Sequence, residues 1–170
     1  MTDFAALIRR LSNARIEFIL IGGVAATIHG SARMTRDVDV VYARRAENIE
    51  AICEALMPIH PYLRGAPKNL PFRLDVPTMT SGLNFTLTTD EGDLDLLGEM
   101  TGGGNYEQLR PHAVLIEVYG RKCYALSVEQ LIAAKRAAGR PRDLEAIAEL
   151  EIIRDRVTES QNQPTADSSD

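Results

Sequence analysis

The chain predicts an α/β (α+β) fold, in which strands and amphipathic helices alternate and a pair of helices closes the C-terminal end. Three observations predict it. Short runs at 18–21, 37–42, 83–87, 93–97 and 114–118 are wholly apolar or alternate with period two, as strands do. Apolar residues recur at i, i+3, i+4 and i+7 from Phe4 and again from Ile49, as on one helix face. Ser127 with Gln130 makes a capping box ahead of an apolar stripe, and Gly139 and Pro141 separate that stripe from another.

Phe4, Leu7, Ile8 and Leu11 form the inner face of the first helix, with Arg9 and Arg10 on its wet side. Phe18-Ile19-Leu20-Ile21 is a strand covered on both faces. Gly22-Gly23 stops it, a short helix runs from Val24 to His29, and Gly30-Ser31 ends that helix. Asp37 to Tyr42 alternates acid and valine and then turns apolar, so its first half has one polar face and its second half is buried. Ile49, Ile52, Cys53 and Leu56 mark a second amphipathic helix, closed by Met57-Pro58. Pro58, Pro61, Pro67, Pro71 and Pro77 break any long element up to Gly82, which reads as a surface excursion or a lid with one short helical turn. Leu83, Phe85 and Leu87, the turn Asp90-Glu91-Gly92 and Asp93-Leu94-Asp95-Leu96-Leu97 form a hairpin, and Val114 to Val118 pairs with Lys122 to Leu126 as a second one. The last two helices carry Leu131, Ala134, Lys135 and Ala138, then Leu144, Ile147 and Ala148.

The length of 170 residues suits one domain, placed at 1–157; from Thr158 the composition turns polar without periodicity, and 158–170 read as a disordered tail. A net charge of −5 argues against coating a nucleic-acid backbone and confines any RNA contact to a local patch. Cys53 and Cys123 have no metal-like spacing and read as two buried thiols. No apolar run approaches the ~20 residues of a membrane helix, and no signal core opens the chain, so a cytoplasmic protein is expected.

Asp37 and Asp39 share a strand face with Cα atoms roughly 6.5–7 Å apart, while Val38 and Val40 face the core. Asp95, flanked by Leu94 and Leu96, sits on a second strand; Asp93 lies on the same face and competes for the role of third acid. Three such carboxylates at ~4 Å repel by ~4 kcal/mol per pair at an effective dielectric near 20, which calls for cations, Mg²⁺ being the natural choice. Gly22-Gly23 lets backbone approach a phosphate closely. Thirteen residues, Val24 to Arg36, separate this pair from Asp37.

The run Gly22-Gly23, thirteen residues, Asp37-Val38-Asp39 and a later Leu94-Asp95-Leu96 resembles the DNA polymerase β-like nucleotidyltransferase superfamily. Arg33, Thr35 and Arg36 before the acids, with Leu131 to Lys135 and Gly139 to Asp143 near the end, look like the small bacterial nucleotidyltransferases related to the abortive-infection (AbiE-type) toxins. The resemblance implies the nucleotidyltransferase fold, a mixed central sheet flanked by helices. It implies two Mg²⁺ ions, or Mn²⁺, held by Asp37, Asp39 and Asp95, with Asp95 helping to remove the proton of the attacking hydroxyl, and Gly22 and Gly23 cradling the β and γ phosphates of an NTP. Lys135 matches a position that contacts the nucleotide in related toxins, although a lysine there also snorkels out of a core face. Arg33 and Arg36 suit the triphosphate or the acids, Arg142 and Asp143 a second basic-acidic pair or a helix-dipole contact, and His29, His60 and His112 are scattered. Many relatives have a hydroxyl residue near the phosphates where this chain has Val24; a second Gly-Ser pair, Gly30-Ser31, is separated from Asp37 by only five residues, an interval short for the motif.

The expected activity is transfer of an NMP from an NTP, with pyrophosphate release, to a tRNA end, a protein hydroxyl or a small molecule. The competing expectation is a non-catalytic nucleotide- or partner-binding module of a two-protein pair, with a cognate antitoxin or other partner. A third, an isolated metal-dependent phosphohydrolase, would release phosphate without labelling an acceptor.

Overall fold

The computed structural model describes residues 1–162. Its helices are α1 (Phe4–Asn13), α2 (Gly22–Ile28), α3 (Ala46–Leu56), α4 (Val76–Ser81), α5 (Tyr106–Leu109), α6 (Val128–Ala138) and α7 (Leu144–Asn162). Its strands are β1 (Phe18–Ile21), β2 (Asp37–Tyr42), β3 (Tyr62–Leu63), β4 (Asn84–Thr89), β5 (Gly92–Leu97), β6 (Glu99–Met100), β7 (Gly104–Asn105), β8 (Val114–Val118) and β9 (Arg121–Ala125). Seven strands form one sheet in the order β3-β4-β5-β2-β1-β9-β8. It is mixed: β2 runs parallel to β5 and β1 parallel to β9, while the other neighbours are antiparallel.

Local chemistry accounts for most boundaries. Asp3 caps α1 through the Ala6 amide, Ser127 and Gln130 form the expected capping box on α6, and Gly139 ends α6 in the left-handed conformation. The β8–β9 hairpin turns on Tyr119 and Gly120, both with positive φ, the geometry that matches strand twist in a two-residue loop. All four residues of β1 are buried, as its unbroken apolar run demands. Leu7, Ile8, Leu11, Val38, Val40, Ile52, Leu87, Leu94 and Leu96 are essentially inaccessible and form one core with β1.

Several elements depart from the sequence reading. Helix α2 begins at Gly22 rather than Val24. The proline-rich excursion contains β3 and α4, and β6, β7 and α5 fill a stretch that carried no clear pattern. Arg10, expected on the wet side of α1, is partly buried in a bidentate pair with Glu91 of the β4–β5 turn. Cys123 is buried, but Cys53 is only half-buried, its Sγ facing Met79 Sδ at 3.6 Å. Helix α7 continues to Asn162 where a tail was expected from Thr158; the rest of that expectation, 163–170, lies outside the described residues. Among the described residues no helix is long and apolar enough to cross a membrane.

Candidate active site

The site is built where β2 and β5 run side by side. Their parallel register sets Asp37 opposite Asp93, Val38 opposite Leu94 and Asp39 opposite Asp95. Because side chains alternate along a strand, the four acids share one face while Val38 and Leu94 are buried on the other. Asp37, Asp39 and Asp95 each offer a carboxylate oxygen, and these atoms lie within 4.8 Å of one another. Asp93, the competing candidate, falls outside that trio.

Crowded acids disturb one another. The Asp39 carboxyl is pushed up to about 7, first by burial, then by the charges of Asp37 and Asp95, with a hydrogen bond to Asp95 adding to the rise. Burial also raises Asp95, and the charge of Asp37 adds to it, while Arg64 acts in the opposite direction. Arg64 is the residue that sequence reasoning missed. Its Nη2 donates to Asp95 Oδ1 at 2.7 Å and to the Leu87 carbonyl at 2.8 Å, and its Nη1 donates to Asp37 Oδ2 at 3.4 Å. Its Nε faces Asp93 Oδ2 at 3.4 Å, yet is buried without a hydrogen-bond partner. Part of the neutralisation expected from Mg²⁺, or from Arg33 or Arg36, is therefore supplied by Arg64. The one signal available was that residues 60–73 hold Arg64, Lys68 and Arg73 and no acid.

The glycine pair explains how α2 comes so close. A β-carbon on Gly22, whose φ is +62°, would lie 2.4 Å from Asp39 Oδ2, and one on Gly23 would lie 2.5 Å from Thr35 Cβ. Thr35 in turn donates to the backbone and side-chain oxygens of Asp37 at 3.2 and 3.3 Å. Glycine is thus required here by contact with the acids and their neighbours.

Beside the acids opens a cleft of about 560 Å³, lined among others by Gly22, Asp39, Asp95, Lys135, Arg140 and Arg142. Acids form one part of its wall and cations of α6 and the following turn another. Lys135 Nζ lies 3.5 Å from Asp143 Oδ1, and Arg140 Nε donates to Asp143 Oδ2 at 2.7 Å. Burial pushes the Asp143 carboxyl up, but the Arg140 hydrogen bond and the charges of both cations outweigh it and hold it below the usual carboxylate range. Asp143 is therefore an anchor for two cations rather than a helix-dipole contact. Arg36 is exposed and does not line this cleft; its carbonyl accepts from Thr2 Oγ1. Arg33 pairs with Glu145 and Glu149 of α7 instead of the strand acids. His29 bonds the Leu126 carbonyl and His60 pairs with Asp90.

The trio fits a hard divalent cation: its donors are carboxylate oxygens on two rigid, hydrogen-bonded strands, the set that suits Mg²⁺ or Mn²⁺ rather than softer metals.

This sheet is the nucleotidyltransferase fold. An antigenic nucleotidyltransferase-like protein from Paracoccidioides brasiliensis is similar in structure, with a TM-score of 0.53 over 88% of this chain and 72% of that one at 16% identity. A candidate nucleotidyltransferase from Thermotoga maritima gives a TM-score of 0.49 over 94% of this chain and 96% of that one at 14% identity. No curated protein sequence matches the chain. Residues 6–157 match the family described as nucleotidyl transferase AbiEii toxin, type IV TA (toxin–antitoxin) system. The chain belongs to this family and is a nucleotidyltransferase, as its glycine and aspartate motifs led one to expect.

Proposed function

We propose that the protein transfers a nucleoside monophosphate from an NTP to a hydroxyl-bearing acceptor, dependent on Mg²⁺ or Mn²⁺, and acts as the toxin of a pair with a cognate antitoxin. The observation that carries this reading is the in-register pairing of β2 and β5, which brings Asp37, Asp39 and Asp95 together, with Asp39 and Asp95 at the wall of a cleft also lined by Lys135, Arg140 and Arg142.

Asp37, Asp39 and Asp95 are the metal ligands in this reading. Bound divalent cations would supply neutralisation of the triphosphate and acidification of the attacking hydroxyl. Gly22 and Gly23 are assigned the phosphates in this reading, Gly22 lining the cleft beside Asp39, while Lys135 and Arg142 of the same cleft hold the phosphate charge. The acceptor oxygen bonds to the α-phosphorus as the bond from that phosphorus to the bridging oxygen breaks. Pyrophosphate leaves with that electron pair, and Asp95 takes up the hydroxyl proton. Arg36 stands next to Asp37 in sequence and is assigned the outer, solvent-facing part of the triphosphate.

The test is incubation of the full chain with each α-labelled NTP, Mg²⁺ and a whole-cell extract. Label is expected in one acceptor class, RNA, protein or small metabolite, and is expected to vanish with Asp39→Asn. Phosphate release from NTP with no labelled acceptor would mark a phosphohydrolase and overturn the reading.

A further inference from the structure

We propose that Arg64 is a positioning residue that holds the acid cluster in the metal-free enzyme and is exchanged for the divalent cation on loading; this rests on the reading that the acids bind such a cation. One guanidinium touches three of the four carboxylates on the β2–β5 face, at 2.7 Å from Asp95 and 3.4 Å from Asp37 and from Asp93. Two of those three belong to the trio whose oxygens converge. Arg64 and a cation bound by Asp37 and Asp95 therefore draw on the same carboxylates, and like charges at such distances repel.

The seat is good enough to gather the acids and too poor to be permanent. Nε is buried without a hydrogen-bond partner, so one strong donor is left unmet as long as the side chain stays in place. Arg64 also approaches from a separate direction. It follows β3 at the edge of the sheet and is absent from the lining of the Lys135 cleft. Its amide makes a last bond to the Thr86 carbonyl, after which the chain turns at Gly65 with φ +74° and open space where a β-carbon would stand. The guanidinium thus spares the acids mutual repulsion before loading, and metal binding releases it.

Mn²⁺ binding to the full chain without nucleotide tests this, read from the free-ion electron paramagnetic resonance signal. Arg64→Gln should bind Mn²⁺ roughly tenfold more tightly than the wild type, and Arg64→Lys should return most of the way to wild-type affinity. Metal-free Arg64→Gln should melt lower than the wild type and gain more from added Mn²⁺. Equal or weaker Mn²⁺ binding by folded Arg64→Gln overturns the Arg64 role and leaves the metal reading standing. Absence of Mn²⁺ binding in the wild type and in every variant removes both. A second measurement needs no variant to fold: in the wild type the Arg64 Nε–Hε NMR signal should move on Mg²⁺ titration, and an unmoved signal at saturation overturns the exchange.

Discussion

Gly22 lies so close to Asp39 that a β-carbon on the glycine would stand 2.4 Å from the Asp39 Oδ2 atom. Strand β1 ends directly opposite this aspartate, since Ile21 pairs with Asp39, and the chain must enter α2 within one residue. A φ of +62° makes the turn, a conformation that costs other residues about 1–2 kcal/mol. Gly22→Ala should therefore lower the melting temperature by roughly 2–8 °C for a chain of this size and push Asp39 off the trio. Gly120→Ala is the control, because its φ is +73° and nothing lies within 4 Å of the added carbon. Both variants should lose stability in thermal melts, but Gly22→Ala alone should lose the Mn²⁺ and NTP shift. Retention of that shift in Gly22→Ala would separate the glycine from the acids.

The same crowding makes the metal-free protein sensitive to pH. Burial, followed by the charges of Asp37 and Asp95, pushes the Asp39 carboxyl up to about 7 in the folded chain, whereas the unfolded chain has the ordinary value near 3.8. The folded state thus binds the proton more tightly, so the stability this group contributes is full below about 4 and is lost as pH rises through about 7. Melts in EDTA should fall between about pH 4 and pH 7 and level off above, and Asp39→Asn should flatten this fall. At pH 8.5 the variant should melt above the wild type, by about 2–4 °C for each kcal/mol of repulsion removed. A parallel fall in wild type and variant would assign the pH dependence to other groups.

The parts of the fold that could be read in advance are those written locally. An i, i+2 pair of acids among valines fixes Asp37 and Asp39 on one strand face, and Leu94 and Leu96 around Asp95 do the same for the partner strand. That these two strands run parallel and in register is a long-range fact with no local signature, although the shared acidity invited it. Arg64 stayed hidden because β3 has two residues, too few for any periodicity, in a stretch broken by prolines. The end of α7 stayed hidden for the opposite reason. It is a regular helix without an apolar stripe beyond Val157, held in part by Thr158 and Ser160 hydroxyls donating to the carbonyls four residues back.

Asp143 connects the two readings of Lys135, as nucleotide ligand and as lysine packed at the edge of the core. It is buried, and both Lys135 and Arg140 depend on it for their pairing. Lys135→Met leaves Asp143 with Arg140 and keeps the apolar length of the side chain, so the fold should tolerate it. The lost charge contact to a phosphate should raise the KM for NTP by about tenfold or more, the size of one charge-assisted hydrogen bond. Asp143→Asn keeps the shape but leaves two cations side by side. Because both are partly exposed, the cost should be modest, about 1–2 kcal/mol or roughly 2–8 °C in melting temperature. Residues in one ion-pair network do not act additively, and the double variant should recover part of the Asp143→Asn loss, since removing Lys135 relieves the repulsion with Arg140. Steady-state kinetics and melts on the three variants decide the role: a KM rise with little change in melting temperature marks Lys135 as a nucleotide ligand. A fall in melting temperature with unchanged KM makes it only the structural partner of Asp143.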